Sequence, residues 1–190
     1  MKFSNFLKTL FMIPFEMVVE VMTVIVVPVV LLFCSKDATR LPKLFSWWDE
    51  YKYGINGDPY WQGPEHANGK QNTYFWRLKW LFRNRINTFS CTVSGIDMTK
   101  CTKISYEGDV FTANKPLLHE GKVLITVEAD GRTYQTKYYI KKWSSRYCLR
   151  IYWGWKTKDW AEPGRFAEAT ESRRFAQFVW YINPFCSFGS

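Results

Sequence analysis

The stretch LFMIPFEMVVEVMTVIVVPVVLLFC, Leu10 to Cys34, decides how this chain is read. As an α-helix it would reach roughly 37 Å, against about 30 Å for the hydrocarbon core of a bilayer. Two carboxylates interrupt it. Glu16 and Glu20 are four apart and share one helix face. The charge-free run beyond them, Val21 to Ser35, has 15 residues, short of the roughly 17–25 that a span usually needs. A carboxylate in lipid costs a few kcal/mol and normally faces a partner or water. Two arrangements are therefore expected. Glu16 and Glu20 sit at headgroup depth, or several copies of the helix bundle so that both face protein. Pro14 and Pro28 each remove a backbone donor and favour kinks, which lipid-embedded helices tolerate.

Two other readings of this segment are weaker. A core helix of a soluble domain would show a polar face, yet Val21 to Phe33 is apolar all round except for Thr23. A cleaved signal peptide needs small residues at its cleavage site, and Leu31, Leu32 and Phe33 before Cys34 are too bulky.

Beyond the helix the composition changes. Residues 1–34 hold two Lys and two Glu and net to zero, so the whole formal charge of +9 falls on residues 35–190. That balance favours anionic surfaces: lipid headgroups, nucleic acid or an acidic protein. Ten Trp in 190 residues is unusual, and with 11 Tyr and 15 Phe they suggest interfaces as well as a core. Lys36, Arg40, Lys43 and Lys52 follow the helix, against Lys2 and Lys8 before it, which puts the C-terminal part in the cytoplasm by positive-inside counting. Cys34, Cys91, Cys101, Cys148 and Cys186 form no CxxC and no regular spacing, so they are expected as free thiols in a reducing compartment.

Residues 36–72 are punctuated by Asn56-Gly57, Asp58-Pro59, Gly63-Pro64 and Asn68-Gly69, with Trp47, Trp48, Tyr51, Tyr53, Tyr60 and Trp61 between them. This reads as an ordered, irregular collar. Its rings either form an interfacial belt or cover the following domain. Thr73 to Arg85 reads as a helix with Asn72 as N-cap. Tyr74, Phe75, Leu78, Leu81 and Phe82 form its core stripe, while Trp76 and Trp80 fall opposite, beside Lys79 and Arg83. Those four residues are the candidate contact to an anionic surface, lipid or single-stranded nucleic acid. The alternative is a helix buried on two sides.

From Thr88 the period changes to two. Strands are expected at 88–93, 102–106, 121–129, 132–142, 146–156 and 174–182, with Asp130-Gly131 as a hairpin turn. Along 146–156 one face carries Tyr147, Leu149, Ile151, Trp153 and Trp155. The segment 163–173 has helical composition. The expected fold class is α+β: a transmembrane-type helix over 1–35, the collar over 36–72, and a basic domain over 73–190. That domain combines an antiparallel meander of four to six strands with the amphipathic 73–85 helix packed on it.

No reaction chemistry is signalled. His66 and His119 lack Cys, Asp or Glu at ligand spacing, and no nucleophile elbow, phosphate loop or HExxH occurs. No catalytic, metal or cofactor-binding residue is expected, and the chain is read as non-enzymatic.

Trp47-Trp48-Asp49, Asn56-Gly57-Asp58, the run Trp76 to Asn84, Gly154-Trp155-Lys156 and Ile182-Asn183-Pro184-Phe185 together resemble a family of small tailed-bacteriophage proteins with an N-terminal hydrophobic segment. The likeness covers most of residues 40–186. It departs where that family continues Arg-Asn-Pro and this chain has Arg85 after Asn84. It implies a phage origin and no chemistry. Three functions are then in view: a membrane-anchored protein at the host inner membrane, a minor virion component of a portal or tail channel, or a membrane-tethered nucleic-acid-binding module. The expected partners are lipid, phage structural proteins and further copies of the same chain.

Overall fold

The computed structural model describes residues 3–113, 119–161 and 174–189. The segment 163–173, read above as helical in composition, lies outside them. The fold is α+β: one long apolar helix and a five-stranded antiparallel sheet among shorter elements. The chain divides into two compact units, one of residues 1–13 and 95–190, the other of residues 14–94. The division falls inside the long helix α1 (Phe3–Leu32) at Ile13 and Pro14. It differs from the three-part division drawn from composition, because contacts rather than polarity set it.

The sheet unit holds strands β1 (Ile96–Asp97), β2 (Cys101–Gly108), β3 (Gly121–Ala129), β4 (Arg132–Lys142), β5 (Tyr147–Trp155), β6 (Phe175–Ala176) and β7 (Phe178–Ser187), with a short helix α6 (Lys158–Ala161). Strands β2-β3-β4-β5-β7 form a meander, and β1 pairs with β6 separately. The β3–β4 hairpin turns at Asp130 and Gly131, both at positive φ (52° and 69°), as a two-residue primed turn requires. Val123, Ile125 and Val127 of β3, Tyr134 and Tyr138 of β4, and Tyr152 of β5 build its core.

β5 corrects the expected alternation. Trp155 joins Tyr152 in the core, against Tyr134 and Phe178. Trp153 instead meets the first turns of α1: it stacks on Phe6 at 5.9 Å, and its indole N–H donates to the Thr9 hydroxyl at 2.6 Å. The cause is Gly154 between them, at φ 124°. A Cβ there would stand 2.8 Å from the Gln135 carbonyl oxygen and 2.8 Å from the Thr136 Cα, so only glycine allows the turn that separates the two indoles.

The second unit runs from Pro14 through α2 (Pro59–Gln62), α3 (Pro64–Ala67), α4 (Tyr74–Arg83) and α5 (Asn87–Thr92). Residues 88–93, expected as a strand, lie almost entirely in helix α5. Six residues hold too little period to tell the two apart, and burial of Phe89, Ser90 and Cys91 settles the conformation. The amphipathic helix 73–85 is α4, but it belongs to this unit's own core and not to the sheet. Its N-cap is Thr73; Asn72, expected there, is left-handed at φ 57°.

Candidate functional surface

Helix α1 carries two unlike faces. Toward its own unit it buries Glu16, Val19, Thr23, Val27, Val30 and Leu31, at the spacing of one stripe. Away from it, Phe15, Val18, Met22, Ile25, Val29 and Leu32 are exposed. At 100° per residue these two sets lie roughly opposite each other. The apolar composition all round is therefore no sign that the helix stands alone. The polar groups that serve its inner face come from elsewhere in the chain. The Ser94 hydroxyl donates to the Glu16 carboxylate at 2.7 Å. Arg85 pairs with Glu20 at 3.1 Å, with both side chains partly exposed. The Trp48 indole donates to the Val19 carbonyl at 3.0 Å, and the Tyr74 hydroxyl to the Pro28 carbonyl at 3.1 Å.

Both carboxylates thus have partners in their own chain. The expectation of a helix bundle rested on their lacking one, and that motive is removed. Among Pro14, Pro28, Glu16 and Glu20, the two glutamates orient the helix, and Pro28 lends its carbonyl to Tyr74.

The outward face of α1 continues onto neighbouring elements. Phe15 meets Phe89 edge-on at 5.4 Å, and Phe89 meets Trp47 at 5.1 Å. Trp47 and Leu44, in the 3-10 turn Lys43–Trp48, are exposed. Near the other end, Tyr74 links Pro28 to Phe75, whose ring lies 5.2 Å away and is 72% exposed. The exposed apolar surface is therefore a strip along α1 with an aromatic residue at each end.

Trp76 and Trp80, two of the four candidate contact residues, are buried at 8% and 3% exposure, which overturns their reading as an exposed platform. Trp76 stacks on Trp61 at 4.4 Å, and Trp80 donates its indole N–H to the Gly54 carbonyl at 2.8 Å. Lys79 and Arg83 are exposed as expected, and Arg83 lies 5.6 Å over the Trp61 ring. The face of α4 that turns inward is set by Arg77, 4% exposed. Its guanidinium donates to the carbonyl oxygens of Ser35, Lys36 and Ala38 and to the Asn56 side chain, at 2.6–2.9 Å. Those carbonyls follow the end of α1, so Arg77 fixes where the chain leaves that helix. Turning Arg77 inward brings Trp76 and Trp80 with it and leaves Phe75 outside.

Asp49 closes the collar. Its carboxylate accepts from the Leu41 and Glu50 amides at 3.2 and 2.8 Å, with Arg40 3.8 Å away. Burial pushes its carboxyl up to about 6, against the pull of Arg40 and the two amides. In the sheet unit Asp97 behaves oppositely. Arg174 donates to it twice, at 2.7 and 3.1 Å, and holds its carboxyl down at about 2. All five cysteines are free thiols, and Cys148 faces Cys186 across β5 and β7. Among the described residues no three His, Cys, Asp or Glu side chains gather as a metal-holding group.

Residues 1–189 match the model of a family of unknown function, DUF7338, and the chain belongs to that family. No curated protein and no solved structure matches it.

Proposed function

We propose that this DUF7338 protein is a non-enzymatic, membrane-associated interaction protein whose α1 lies in the plane of a bilayer surface, outward face down. The observation that carries the reading is the strip from Trp47 through Phe15, Val18, Met22, Ile25 and Val29 to Phe75. Exposed apolar strips of that length mark contact with a membrane or partner. Length and composition would also allow α1 to cross a bilayer, with a third of its most apolar window buried. The inner face argues for the in-plane arrangement. The unit's own residues cover it from Glu16 to Leu31, and that unit also exposes Lys36, Arg40, Lys43, Lys52, Lys79 and Arg83. Those charges would be carried into hydrocarbon if the helix crossed. Lying flat, the unit supplies the polar face that an interfacial helix needs, and its Lys and Arg sit near headgroups. The likeness to tailed-phage proteins adds the host inner membrane or a virion as the setting. Nucleic-acid contact loses support with the burial of Trp76 and Trp80.

Flotation of the full chain with vesicles containing anionic phospholipid tests this. Wild type should float. Met22→Asp with Ile25→Asp should lower binding at least tenfold with unchanged circular dichroism. Wild type that stays with the soluble fraction, or a double variant that floats as well, would contradict the reading.

A further inference from the structure

A cavity of about 750 Å³ opens on the sheet unit, on the face of the meander away from its core. Antiparallel sheets that present one face to water normally make it polar. Here Leu124, Ile151, Trp153 and Ile182 line the sheet side, and Phe3 and Phe6 of α1 line the other. Several of them are left uncovered: Ile182 is 57% exposed and Phe3 74%.

The strand register sets charges among them. Lys137 of β4 lies between Leu124 and Trp153 in one cross-strand row, and Lys122 joins Ile151 and Ile182 through Tyr139 in the next. Glu107 of β2 stands opposite Leu124. All three charged residues line the cavity. None has an ion-pair or hydrogen-bond partner through its side chain among the described residues. The rim therefore carries a net charge of +1 over an apolar floor. The volume is that of a site for a single small molecule.

We propose that this cavity holds the acyl chain of a long-chain amphiphile whose head carries one negative charge, a carboxylate or a phosphodiester, with Lys122 and Lys137 on the head. The site shares no residue with the strip from Trp47 to Phe75 and does not depend on that strip meeting a membrane.

The test uses the full-length chain and a diazirine-bearing palmitate, compared with its neutral monoglyceride ester and with a diazirine-bearing phosphatidylglycerol in vesicles. Irradiation and peptide mapping locate the adducts. The fatty acid, the anionic phospholipid or both should label peptides containing Leu124, Ile151 or Ile182, in competition with unlabelled oleate. Which of the two does so identifies the source of the head. Lys122→Glu with Lys137→Glu should reduce that labelling at least tenfold. Leu124→Trp, which narrows the cavity beside the lysines, should weaken it at least tenfold without lowering the melting temperature. Adducts confined to residues 15–33 would overturn the cavity site while leaving the membrane reading standing. Equal labelling by the neutral ester, or undiminished labelling of Leu124→Trp, would also overturn it.

Discussion

The Ser94 hydroxyl meets the Glu16 carboxylate at 2.7 Å across 78 positions of sequence. A glutamate that looks misplaced in an apolar helix is in this way a docking point for the helix's own unit. The pair fixes which face of α1 turns inward, and so which face is left exposed. Removing the hydroxyl in Ser94→Ala leaves a buried carboxylate short of one donor. It should cost about 1–3 kcal/mol, read by chemical denaturation. Glu16→Gln keeps a group that can bond Ser94 and should cost less.

Single cysteines at positions 16 and 20, in a background without native cysteines, should give few crosslinked dimers. Both positions face their own chain. Abundant dimers from 16 would show that the inner face opens toward a second copy.

Trp76→Ala and Trp80→Ala should destabilise the protein by about 3–5 kcal/mol each, on the scale of Leu81→Ala. Lys79→Ala should stay within about 0.5 kcal/mol, as exposed positions do. Melting curves check both. Tryptophan variants as stable as Lys79→Ala would contradict the packing described.

Arg77→Met should do more than weaken the fold. It leaves the Ser35, Lys36 and Ala38 carbonyls without their shared donor. Amide hydrogen exchange should rise in residues 33–40 before it rises in the sheet.

Two carboxylates give opposite pH dependences. Asp49 binds its proton more tightly folded, at about 6, than a free carboxyl at 3.8. The folded state then holds more protons in that window, so stability is highest below it and falls as pH rises through 6. Asp49→Asn should flatten this fall, worth roughly 3 kcal/mol at full titration. Asp97, held down at about 2, stabilises the folded state above the ordinary carboxyl value. That contribution is lost as pH falls toward 2, and Asp97→Asn should remove the acid-side loss. Denaturation midpoints between pH 2 and 8 separate the two.

The hairpin was legible because its signals are local. Alternation over 121–129 and 132–142 and the Asp130-Gly131 turn give β3 and β4 with the bounds observed. Along β4, Tyr134, Tyr138 and Ile140 are buried as alternation requires. What failed was set at a distance. The rotation of α4 depends on Arg77 finding carbonyls about 40 positions earlier, and no helical wheel contains them. The side-switch of Trp155 hangs on one glycine, for which Gly154-Trp155 was the available signal. The inner face of α1 was invisible because its polar partners, Ser94, Arg85, Trp48 and Tyr74, lie outside the helix.

If α1 lies flat with its outward face in lipid, as proposed, a depth profile along the helix shows it. Spin labels at positions 18, 22, 25 and 29 of the full chain, bound to anionic vesicles, report their depth from collision with oxygen and with a water-soluble nickel complex. A flat helix puts all four at one shallow depth, about 5–10 Å into the boundary of headgroup and acyl chain. A label at inward-facing Val27 would be shielded from both reagents. Depths that climb steadily from 18 to 29 toward the bilayer midplane would mean that the helix crosses. Four labels as exposed to nickel as a free probe would mean that it never meets lipid.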